Sequence, residues 1–78
     1  MSQDLYNSDV MILKRCCEVA KELGGLDMIR ANPSVGVQFK SRTIGDFRIL
    51  IERYGLLDAA DLLAKAIRAD ERANVTVH

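Results

Sequence analysis

The chain has 78 residues, 49% of them hydrophobic and 28% charged, with one Pro and 11 basic residues against 11 acidic ones. That length allows one domain with a thin core, and the composition excludes a disordered chain. The charge balance excludes a global field that would draw the protein to nucleic acid or to an anionic membrane, and no apolar run approaches the roughly 18 residues needed to span a bilayer.

Residues 1–8 show no sustained periodicity; Leu5 and Tyr6 are their only large apolar groups after Met1. This polar start is unlike a signal peptide, so a cytoplasmic location is expected. Residues 1–8 and 74–78 are expected to be flexible or docking termini of a single small helical domain spanning 1–78. Asn7, Ser8 and Asp9 are all competent N-caps, since their side-chain oxygens accept from free backbone amides, and they predict a helix over about 9–23. Two apolar rows run along it: Val10, Leu13, Cys17 and Ala20, and beside them Ile12, Cys16, Val19 and Leu23. The combined sector is wider than the roughly 100° of a helix that covers one core. The helix is therefore expected to touch two surfaces, either two helices of its own chain or one of them and a second copy, and in the latter case Ile12, Cys16, Val19 and Leu23 are the self-association row. The adjacent Cys16 and Cys17 project about 100° apart and make no CxxC motif, so they read as small buried hydrophobes in a reducing compartment.

Gly24 and Gly25 end this helix, and Leu26 to Ala31 can form a short fourth one before Asn32 and Pro33 stop it. In Ser34 to Lys40, Val35, Val37 and Phe39 alternate with Gly36, Gln38 and Lys40, the period of a half-buried strand. The reading here is either a short strand pair, 35–39 with 75–77, or an irregular loop over the helices. Thr43 then reads as an N-cap, with Asp46 completing a weak capping box, and predicts a helix over 44–54. Ile44, Phe47, Leu50, Ile51 and Tyr54 share its inner face. Gly55 breaks the chain, and Asp58 is placed to cap a Leu/Ala helix over 58–73. The expected fold is mainly α: a compact three-helix domain over about 9–23, 44–54 and 58–73.

No chemistry-bearing constellation emerges. The only His is the last residue, so no nucleophile has a neighbouring base, and no Cys, His or carboxylate cluster has ligand spacing. Gly24-Gly25 lacks both the GxGxxG pattern and a Walker lysine. No catalytic site, cofactor or metal is expected, and an enzyme is not. The helix, Gly55 turn and helix share the outline of a DNA-binding helix-turn-helix, but the second helix opens on Asp58 and Asp61, where DNA readout needs polar and basic groups. A local basic excess runs through Arg30, Lys40, Arg42, Arg48 and Arg53, with Asp46 and Glu52 as the acids between Met28 and Arg53. These five are the candidate partner-binding residues. The expected function is a small, non-enzymatic protein-protein interaction module. It is expected to self-associate as a homodimer and to act as an inhibitor or adaptor on a larger protein partner. The alternative is a small DNA-binding transcriptional regulator with an atypical helix-turn-helix.

Overall fold

The computed structural model describes residues 7–75, with side chains over 8–73. Among them run four helices: α1 (Asn7–Glu22), α2 (Leu26–Ala31), α3 (Pro33–Tyr54) and α4 (Leu56–Val75). Every helix touches the other three. The body is 17 Å across its thinnest direction, about two helix layers, so each long helix has a face that its neighbours do not reach.

The mainly α architecture and the short helix at 26–31 are as expected, but the strand at 35–39 is not. Those residues are the first turns of α3. Pro33 holds Asn32 extended (φ −117°, ψ 107°) and sits at the first helical position, where its fixed φ suits the helix and its missing N–H costs nothing. The Val35/Phe39 pair that looked like strand alternation is equally an i,i+4 pair, and it continues to Thr43. A lone strand would leave its backbone groups unpaired, whereas the helix pairs them locally. Val75, in the proposed partner segment, closes α4; residues 76–78 lie outside the described residues, as do Leu5 and Tyr6.

Thr43 is thus no N-cap. It sits in mid-helix, buried, with its hydroxyl donating to the Phe39 carbonyl at 2.8 Å. Asp58 does not cap either, because α4 starts at Leu56. Gly55 serves both helices: its N–H donates to the Ile51 carbonyl at 2.7 Å and its carbonyl accepts from Ala59 at 2.9 Å, at a φ of 89° that favours glycine. At the end of α1, Gly25 N–H reaches back to the Ala20 carbonyl and Gly24 N–H to Lys21, the paired bonds of a Schellman cap.

The core gathers Ile12, Leu13, Cys16, Cys17 and Ala20 from α1, Leu26 from α2, Leu50 from α3, and Ala59, Leu63 and Ile67 from α4. Ile12 and Cys16, two of the four residues assigned to self-association, are therefore covered by their own chain; Val19 and Leu23 are half-buried. In the other row Leu13, Cys17 and Ala20 are buried and Val10 is exposed, so most of both rows is covered where α1 meets α3 and α4. Burial, assisted by the nearby Asp46 and by Cys17, pushes the Cys16 thiol up to about 11, and burial raises Cys17 as well.

Candidate functional site

The three sides of α3 differ in what they meet. Toward α1, ion pairs run antiparallel along the seam: Asp9 with Arg53 at 3.0 Å, Arg15 with Asp46 at 2.9 Å and Glu22 with Arg42 at 2.7 Å. Asp9 is fully buried and also accepts from the Tyr54 hydroxyl at 2.7 Å, so its carboxylate is held from two sides. It is an anchor of the seam and not a helix cap. Arg15 keeps its proton more firmly for its bond to Asp46. Toward the core, α3 buries Leu50 and Thr43.

On its third side α3 forms an apolar groove of about 340 Å³ with α2 and α4. Phe39, Ile44, Phe47 and Ile51 line it from α3, Ile29 from α2 and Leu63 from α4. Lys40 is its only charged lining residue, and the hydroxyl of Thr43, also in the wall, is already donated within the helix. Gly36 lets α3 pass close under α2, where a Cβ would lie 3.0 Å from the Ile29 carbonyl oxygen. Ile44 is 47% exposed, and Val37, two turns before it on the same strip, is 66% exposed. Arg48 lies one turn beyond Ile44.

The five basic residues do not form one surface. Arg42 and Arg53 are turned to α1 and paired. Lys40 and Arg48 belong to the groove strip and, among the described residues, have no ion-pair partner. Arg30 lines a separate hollow against Lys65, Arg68 and Arg72 of α4. Beside it, Arg68 bridges Asp27 and Glu71, which holds the Asp27 carboxyl below its usual range, and Glu71 accepts the Leu26 N–H at 2.8 Å at the start of α2. Gly25 permits that approach, since a Cβ there would lie 2.9 Å from the Glu71 oxygen.

The groove is not visible in the sequence, because Ile44, Phe47 and Ile51 share one helical face with Leu50 and so resemble a single core face. The available signal was the run Val37, Ile44, Phe47, Ile51 at helical spacing, which becomes visible once α3 is started at Pro33. No group of three or more His, Cys, Asp or Glu side chains gathers as a metal site among the described residues. Among these same residues no helix is long and apolar enough to cross a membrane. In comparisons with known protein families, with curated proteins and with solved structures, the chain finds no match in any of the three.

Proposed function

We propose that this chain is a small, non-enzymatic interaction module that holds an apolar segment of a larger protein in the α2–α3–α4 groove, and acts on that protein as an inhibitor or adaptor. The observation that carries the reading is Ile44: a large aliphatic side chain, nearly half exposed, in a concave wall lined almost wholly by apolar groups. Concave apolar surface with few polar groups is where ligand segments gain most from leaving water. Lys40 and Arg48 at its edge favour a segment with acidic flanks. Two free, buried thiols suit a reducing compartment, and a cytoplasmic setting goes with this reading.

The test is retention of proteins from extract of the native cell on immobilised wild type, Ile44→Asp and, as a control on the far side of the molecule, Glu18→Ala. A defined protein held by wild type and Glu18→Ala and lost by Ile44→Asp is the expected result. Equal retention by all three contradicts the groove. Binding to duplex DNA that falls steeply as salt rises would instead favour the transcriptional regulator.

A further inference from the structure

We propose that, without a larger partner, the groove is filled by the Leu56–Leu57 corner of a second copy of this chain, so that the protein caps its own docking surface by self-association. This rests on the groove being a docking surface and names its occupant. Leu57 is 83% exposed and Leu56 60%, the two standing side by side at the first turn of α4. The corner is pre-organised, because Gly55 is hydrogen-bonded on both sides, to Ile51 of α3 and to Ala59 of α4. A rigid apolar knob loses little freedom on docking.

Charge fixes the match. Asp58 follows the knob directly, and among the described residues it has no ion-pair partner; Asp61, one turn on, is held by Lys65 at 3.0 Å. The groove strip carries Lys40 and Arg48, cations without an ion-pair partner among the described residues. An apolar knob beside a carboxylate thus matches an apolar groove beside two cations, none of the three ion-paired among the described residues, on two different parts of one neutral chain. The seam between α1 and α3 offers no such match, since its charges are paired internally. A knob-to-groove contact is unlike-to-unlike: it closes as a dimer if two copies insert reciprocally and extends otherwise.

Sedimentation equilibrium over a concentration series tests this. Wild type is expected to associate, more weakly as salt rises, and Leu57→Asp and Ile44→Asp are each expected to weaken association by about tenfold or more. Both positions are exposed, so circular dichroism should show an unchanged helix content. Mixing the two variants is expected to restore a discrete dimer, because the intact knob of Ile44→Asp meets the intact groove of Leu57→Asp. Lys40→Glu should likewise weaken association, and Asp58→Lys in the mixing partner should restore it. A wild type that stays monomeric throughout, or variants that stay monomeric when mixed, overturns the proposal. If wild type is monomeric while Ile44→Asp alone loses a retained protein, only self-capping falls; if Ile44→Asp loses neither, the groove reading falls with it.

Discussion

The side of α3 that meets α1 and the side that meets α2 and α4 use the same kinds of residue to opposite ends. On the first, Arg42, Asp46 and Arg53 alternate in sign against Glu22, Arg15 and Asp9, so sliding one helix along the other brings like charges together. Charge there fixes register inside the molecule. On the second, Lys40 and Arg48 have no counter-ion among the described residues, Ile44 stands nearly half in water and Val37 about two thirds. A side chain with its partner inside the fold contributes to the fold; one without is free to recognise something else. Zero net charge conceals this division, because the excess is local.

The sharpest way to break the comparison is to hollow the core between the two sides. Leu50→Ala, at a fully buried position, is expected to cost about 2–5 kcal/mol in urea unfolding, whereas Ile44→Ala, one face away, should cost well under half of that. An equal cost would put Ile44 in the core. Next, Arg53→Met leaves the buried Asp9 with Tyr54 and without its cation, and should cost about 1–3 kcal/mol, less than a fully enclosed pair because Arg53 is partly exposed. Asp9→Asn in the same chain should recover part of the loss, a coupling that a double-mutant cycle reads directly. Gly55→Ala, forced to a positive φ, is expected to cost about 1–2 kcal/mol, seen as a lower urea midpoint.

The thiols supply a pH test. Cys16 is raised to about 11 in the folded chain and Cys17 is raised as well, so above the ordinary thiol range, and for Cys16 up to about 11, the folded state holds protons that the unfolded state has released. Their contribution is fully present below the unfolded value and is lost as pH rises through that window, so stability should fall with pH there, and thiol reagents should label only on unfolding. Smallest of all, Arg42→Ala removes an exposed pair with Glu22 and should cost below about 1 kcal/mol while leaving binding in the groove unchanged.

Much of the fold was legible because caps and periodicity agree: the double-glycine end of α1, the Gly55 break and the Leu/Ala face of α4 all lie where local chemistry put them. The start of α3 is not legible, because Val35, Val37 and Phe39 satisfy a period of two over too few residues to exclude 3.6, and a proline after Asn32 can equally end one helix or open the next. The site was less legible than the fold. Arg42 and Arg53 look like surface cations until α1 is placed beside them, and the spacing around Ile44 cannot reveal which of two adjacent faces of α3 meets Leu63 squarely and which meets it across a groove. Apolar surface beyond the needs of the core was expected on α1; the structure leaves Val10 and Met11 exposed there, and adds more on α3 and in the first turn of α4.

The most direct measurement is urea unfolding of Ile44→Asp at a protein concentration low enough to keep wild type dissociated. The account predicts a helical chain that unfolds cooperatively and loses less than about 1 kcal/mol, as expected of an exposed position. A chain that fails to fold, or that loses several kcal/mol as Leu50→Ala does, would show that this side of α3 belongs to the core and that no docking surface exists there.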